Sequence, residues 1–236
     1  MTSNVATISL TSLLLLLIPV ALVLWIQFKW LLNYKEGAYS IVRMLGQLVI
    51  IGYFLGYIFN AQSAWVIVLV LCVMVIASSW IALRTVKVQR QKLFSIVLFS
   101  LLVGGGSILA LVTQGVLQID PWFSAKIMIP MAGMIFSNAL NAISLAAERF
   151  SDEQSRGEPY EVARNIAFRT AMIPIINSLF AVGLVSLPGM MTGQILSGVD
   201  PLIAARYQIL VMAMIFASGG IASAMYLTLI KKYSST

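Results

Sequence analysis

The chain of 236 residues contains no histidine, one cysteine and only eight acidic residues. Without histidine there is no imidazole general base, no HExxH zinc motif and none of the commonest transition-metal ligand. The single cysteine, Cys72, excludes an intrachain disulfide, and inside an apolar run it reads as a small hydrophobe. No GxxxxGK[ST] phosphate loop occurs, so the chain is not itself a P-loop ATPase. GGGS at 104–107 lies in an apolar segment with no lysine after it and is not a nucleotide cradle. Charge is scarce too: Asp, Glu, Lys and Arg make up 10% of the residues, where a soluble domain carries roughly 25%.

What fills the chain is apolar. Hydrophobic residues make up 60% and the mean hydropathy is +0.96. No layered soluble fold hides that much apolar surface, so the expected class is all-α, a polytopic membrane protein. The apolar runs recur to the C-terminus, which a cleaved signal peptide does not explain. The first 28 residues carry no charge and read as a retained spanning helix.

A helix needs about 20 apolar residues to cross a bilayer. Seven segments meet or approach that length: Val5–Ile26, Ile41–Phe59, Ala64–Leu83, Leu93–Thr113, Ile127–Ala147, Thr170–Leu187 and Gln208–Ile230. Asn60–Ser63 is a tight turn, and Asp120-Pro121 marks another. Seven crossings place thirteen of the fifteen basic residues on one side, leaving Lys126 and Arg206 on the other. By the positive-inside rule that side is cytoplasmic, with the N-terminus outside and the C-terminus inside. Omitting the first helix would give six spans and an internal N-terminus, but no Lys or Arg before Lys29 holds that end in the cytoplasm. The net charge of +7 is therefore explained by topology, without a nucleic-acid partner. The whole chain, 1–236, is expected to be one transmembrane domain.

The segment ERFSDEQSRGEPYEVARNIAFR, 148–169, carries nine charged residues and is too short for a folded domain. It reads as a cytoplasmic loop in which Glu158–Arg169 suits an amphipathic helix, with Pro159 in its first turn.

Polar groups at membrane depth need partners or mark a pathway. Arg43 and Gln47 share one helical face. Arg43 either snorkels to the headgroups or pairs with a carboxylate of the 148–169 segment. Met134, Asn138, Asn141, Leu145 and Glu148 form a continuous stripe that should face protein or a polar cavity, with Asn177 on a neighbouring span facing the same interior. Met128, Met131 and Met134 recur every three residues, which fits adaptable packing or transient contact with a soft metal ion. Ala213, Ala217, Gly220 and Ala224 form a small-residue ridge for close helix approach.

The stretch SLPGMMTGQILSGVD, 186–200, follows a short span containing Pro174. Thr170–Leu187 as an ideal helix reaches about 27 Å, barely across the hydrocarbon. Two placements fit: an external hairpin, or a re-entrant segment lining a cavity, where irregular backbone is tolerated. Gly189, Gly193 and Gly198 permit bends, and Met190, Met191, Gln194 and Asp200 would surround an outer mouth.

The run Pro130–Arg149, with Gly133, Met134, Asn138, Asn141 and Arg149, resembles the membrane subunit of bacterial iron-export ABC transporters, the Fet-type permease family. So does SLPGMMTGQILSGVDP followed by Arg206, Tyr207 and Gln208. Plant proteins linked to aluminium tolerance look similar. The resemblance implies a multi-pass permease of the bacterial cytoplasmic membrane that exports iron or a related metal from the cytoplasm. Hydrolysis would belong to a separate ATP-binding subunit, where ATP and magnesium are expected, and a second permease copy is implied. No cofactor is expected on this chain, and it is not expected to be an enzyme. Carried over as ATPase-coupling residues are Glu148, Arg149, Ser151, Glu153, Arg164 and Asn165. The glycine-rich motif carries over as Pro188, Gly189, Met190, Gly193, Gln194, Gly198 and Asp200; a gating or solute-contact role is read from its residues and placement, not from the resemblance. The substrate stays open among iron, copper(I), another divalent metal and a small organic or metal-protective solute, and a stand-alone metal or small-solute facilitator uncoupled from ATP is the competing reading.

Overall fold

The computed structural model describes residues 9–60, 63–84 and 90–234. The start of the first expected span, Ala61 and Gln62 of the expected turn, and Lys87 lie outside these. Among the described residues the regular structure is helical throughout. Two compact units are present, Met1–Asn60 and Ala61–Thr236.

In the first unit a short helical stretch, Leu10–Leu14, precedes α1 (Leu17–Lys29), and α2 (Tyr34–Phe59) follows. The side chain of Ser9 caps the opening stretch, accepting from the Ser12 amide at 3.1 Å. Helix α2 begins at Tyr34, a full two turns ahead of the expected Ile41. Its first turn carries Glu36, whose negative charge suits a helix N-terminus. Hydropathy marks where lipid begins, and the helix starts earlier than that. A Cβ on Gly37 would lie 2.8 Å from Gln27 Oε1, so α1 and α2 approach closely there. Neither helix has a buried residue.

The second unit contains α3 (Ala64–Ala82), α4 (Gln91–Val116), α5 (Ala125–Ser155), α6 (Tyr160–Ala181), α7 (Gly189–Leu196) and α8 (Pro201–Leu229). Its core is built from α5 and α8, against which α3, α4 and α6 pack. Ala132, Ile135, Ala139, Ile143 and Ala146 line the buried side of α5 at helical spacing.

Two helices widen or bring backbones together. In α4 the turns open to i→i+5 at Leu102–Gly106 and Leu111–Val116. The GGG run serves contact: a Cβ on Gly104 would sit 2.6 Å from the Ala222 amide nitrogen on α8, and one on Gly105 would sit 2.9 Å from the Phe136 ring. On α8 the ridge that is buried comprises Ser218, Gly219, Ala222 and Ser223. The expected ridge of Ala213, Ala217, Gly220 and Ala224 lies partly exposed beside it. Small residues flank both faces of this helix, and only the neighbouring helices select one.

Among the described residues, six helices are long and apolar enough to cross a membrane, in Thr11–Lys29 and in α2, α3, α4, α5 and α8. The sixth expected segment, Thr170–Leu187, is not one of them. Its first part, 170–181, belongs to α6, whose first half carries Glu161, Arg164 and Arg169, and the helix ends at Ala181, short of the expected Leu187. Most of the expected amphipathic helix Glu158–Arg169 and the first two thirds of the expected span are thus one helix. Likewise α5 continues to Ser155, so residues 148–169 are the tip of an α5–α6 hairpin and not a separate loop. Gly157, at φ +84°, closes α5: its amide donates to the Gln154 carbonyl at 3.0 Å and the Glu158 amide donates to the Glu153 carbonyl at 3.1 Å, the two bonds of a Schellman cap.

This hairpin tip lies at the same end of the unit as the C-terminus of α8, because Tyr160 reaches the Leu227 carbonyl. The Trp80–Phe94 ring contact joins the C-terminal end of α3 to the N-terminal end of α4. The opposite end of α6 leads into the turn at 182–188 and α7, and from there into the start of α8.

Candidate functional site

The stretch 186–200 is mostly helical. Pro188 precedes α7, and Gly189 and Gly193 lie inside it with open space where a Cβ would stand. Gly198, at φ +88°, performs the job that needs glycine. Its amide donates to the Ile195 carbonyl at 2.9 Å, and the Val199 amide donates to the Gln194 carbonyl at 3.0 Å, a second Schellman cap. Asp200 then caps α8, accepting from the Leu202 and Ile203 amides at 2.9 and 3.3 Å, with Pro201 in the first turn. Its carboxylate is thereby engaged at the helix start. Helix α8 begins there and not at Gln208, so Arg206, Tyr207 and Gln208 are helical.

A cavity of about 290 Å³ opens between α5, α6, α8 and the 182–188 turn. Asn138 and Asn141 line it from α5, Ser178 and Pro174 from α6, Ser186 and Pro188 from the turn, and Met212 and Ile215 from α8. Pro174 has no amide hydrogen, which leaves the Thr170 carbonyl without its usual helical donor. The Ser178 hydroxyl donates to the Pro174 carbonyl at 2.9 Å. Asn138 Nδ2 donates to the Met134 carbonyl at 2.8 Å, which fixes the amide on its own helix. Met134 holds Asn138 through its backbone but does not line the cavity.

A second cavity of about 450 Å³ adjoins the first and shares Val182 and Met212 with it. Met191 reaches it from α7 and Gln208 from α8. Gln208 is 5% exposed, and its Oε1 is buried with no hydrogen-bond partner, as is Oε1 of Gln194 on α7. Unpartnered buried carbonyls are costly and call for a reason. Met212 and Ser178 carry no motif, and Gln208 stands in the Arg206–Gln208 run with no path role read from it; the sequence signal that places all three here is their helical phase relative to Asn138, Asn141 and Met191.

Among the described residues, no three His, Cys, Asp or Glu side chains converge on one point. Both cavities therefore offer neutral amide, hydroxyl and thioether groups. Such a set suits weak, passing contact with a hydrated or soft cation better than a resident ion.

The remaining expected path residues fall elsewhere. Asn177 is exposed and does not line the cavities, its neighbour Ser178 doing so instead. Met190 is half-buried on α7. Arg43 and Gln47 are exposed on α2 in the other unit. Met128 and Met131 are buried core residues.

The hairpin gathers the expected coupling residues. Glu153 is 4% exposed and ion-paired with Arg149 at 2.5 Å, with Arg156 at 3.6 Å. Arg164 donates to Asn165 Oδ1 at 3.0 Å. Glu148, Ser151 and Asn165 are exposed. Buried Glu153 thus holds the tip together, while the exposed members form its outer surface.

Residues 7–234 match the model of the Uncharacterised protein family (UPF0014). The chain is 34% identical to the probable iron export permease protein FetB of Escherichia coli, over 100% of this chain and 95% of that protein. It is 32% identical to a UPF0014 membrane protein of Synechocystis, over 81% and 86% of the two chains. It is 30% identical to ALUMINUM SENSITIVE 3 of Arabidopsis thaliana, over 80% and 73%. No solved structure matches it.

Proposed function

The chain belongs to the UPF0014 family of multi-pass membrane proteins, and from that premise we propose that it is the membrane-spanning subunit of an ATP-driven exporter of iron or a related metal. The metal enters this reading from the name of the Escherichia coli relative, which is similar over the full length of this chain. The observation that carries the mechanism is that α5 and α6 hold both the amide-lined cavity and the charged hairpin. A partner engaging the hairpin acts on the walls of the cavity without any intervening flexible element.

In this reading α6 is the additional, seventh crossing. The basic residues near the hairpin end, Arg84, Lys92, Arg149, Arg156, Lys231 and Lys232, set that end in the cytoplasm, and the N-terminus lies outside in a bacterial inner membrane. The uncharged part of α6, Thr170–Ala181, spans about 18 Å, short of the roughly 30 Å hydrocarbon. The 182–188 turn consequently sits at membrane depth, with α7 completing a re-entrant segment. Two features support this. Leu184 and Val185 are 90% and 86% exposed, as lipid-facing side chains would be. The turn also satisfies several of its own donors: the Val185 and Ser186 amides donate to the Ala181 carbonyl and the Gly183 amide to the Ser186 carbonyl.

The solute passes from the Asn138–Asn141 cavity, past Val182 and Met212, to the Gln208–Met191 cavity. Neutral donors favour a cation of low charge that keeps part of its water, such as ferrous iron. The working unit contains two copies of this chain and two ATP-binding subunits. The test is reconstitution with its ATP-binding subunit in liposomes, following ferrous iron. Movement that requires ATP is expected, and Asn138→Leu with Asn141→Leu should lower it at least tenfold without loss of ATPase association. Equal iron flux without ATP would establish the facilitator reading in its place.

A further inference from the structure

Tyr160, the first residue of α6, is attached on four sides. Its hydroxyl donates to the Leu227 carbonyl of α8 at 2.8 Å. Its ring meets the edge of Phe150 on α5, with centroids 5.9 Å apart. Arg164 lies 5.7 Å and Lys231 5.1 Å from the ring centroid. The hydroxyl bond is the telling one. A tyrosine that merely packs at a hairpin turn needs its ring, and its hydroxyl can go to water. Here it is spent on the main chain of another helix, in the last turn, where intrahelical donors run out.

We propose that Tyr160 is the positioning residue that joins the α5–α6 hairpin to α8, so that a displacement imposed at the hairpin reaches both cavity walls. This deepens the reading of residues 148–169 as a coupling segment and rests on it for the direction of the effect. The hairpin carries the walls contributed by α5 and α6 directly, and it reaches α8 otherwise only through side-chain packing along the core. Through Leu227 it also moves α8, which brings Met212 and Gln208 to the cavities. Leu227 to Met212 is about 22 Å along one helix, and a helix of this length transmits a push as a rigid rod.

Tyr160→Phe keeps the ring, its stacking and both cationic neighbours, and removes the hydroxyl alone. Two measurements read its effect. In a Cys72→Ser background, spin labels on Ser155→Cys and Lys232→Cys report the distance between the hairpin tip and the end of α8 in the isolated chain. One narrow distribution is expected with Tyr160 and a broad one with Tyr160→Phe. An unbroadened distribution overturns the link. In liposomes with the ATP-binding subunit, Tyr160→Phe should hydrolyse ATP at the normal rate while moving roughly fivefold less ferrous iron per ATP. Unchanged iron per ATP overturns the coupling role. Should the unaltered protein move no iron on ATP, the exporter reading falls, and the coupling role with it. The distance measurement then still decides whether the hydroxyl joins the two elements.

Discussion

Glu153 carries a structural task beside the coupling role expected of it. From sequence it stands among exposed charges, a surface contact for a partner. In the structure it is buried and held by Arg149, so its first task is to fix the hairpin. Removing one member of a largely buried pair strands the other charge. Glu153→Gln should therefore lower stability by about 1–2 kcal/mol, discounted because Arg149 is partly in solvent. Thermal unfolding in detergent reads this, and Glu148→Gln, on the exposed face, serves as the contrast with little change. Asp200 is a similar case. The sequence reads it as an oxygen donor at a mouth, while the Asp-Pro pair is equally a helix start signal, and the amide bonds from Leu202 and Ile203 show the cap. Asp200→Ala should cost about 1 kcal/mol, and Asp200→Asn a fraction of that.

At the scale of elements, close approach of backbones sets the sharpest expectations. Gly104→Ala puts a methyl 2.6 Å from the Ala222 amide nitrogen, and neither backbone can yield. Helix packing in a bilayer depends on such contacts, so a loss of about 3 kcal/mol or failure to fold is expected. Gly219→Ala meets the end of the Ile175 side chain at 2.5 Å, a group that can rotate away, and should cost less. Gly106→Ala meets nothing within 4 Å and should be neutral. Ranking the three by denaturation midpoint tests the close contact directly. Sequence showed that α4 and α8 carry small residues but not which face was used. That choice depends on a neighbour distant in the chain, and two small-residue faces on α8 differ by a single step of helical phase. Asn138 and Asn141 were legible because amides at i and i+3 inside an apolar run cannot face lipid without leaving their donors unpaired. Gln208 was not, because it stands beside Arg206 and Tyr207 and looked like the edge of a span.

For the whole molecule, hydropathy located the apolar runs well and the helix ends poorly. The α5–α6 hairpin and the early start of α8 both extend through charged residues that a lipid scale counts as loop. The polarity of the second unit is nevertheless consistent with the basic residues, with hairpin tip and C-terminus at one end. Labelling of Ser155→Cys and Ser197→Cys in a Cys72→Ser background should proceed from opposite faces of the membrane. Reaction of both from the same face would sink the topology and the exporter mechanism together.

The Gly104–Ala222 contact also constrains how α8 can move. Backbones this close cannot separate or slide without losing their packing, but they can rock. Leu227 lies five residues to one side of Ala222 and Met212 ten residues to the other, about 7.5 and 15 Å. Ala222 is then a fulcrum with unequal arms: a nudge at the tyrosine end swings the thioether end about twice as far, in the opposite sense.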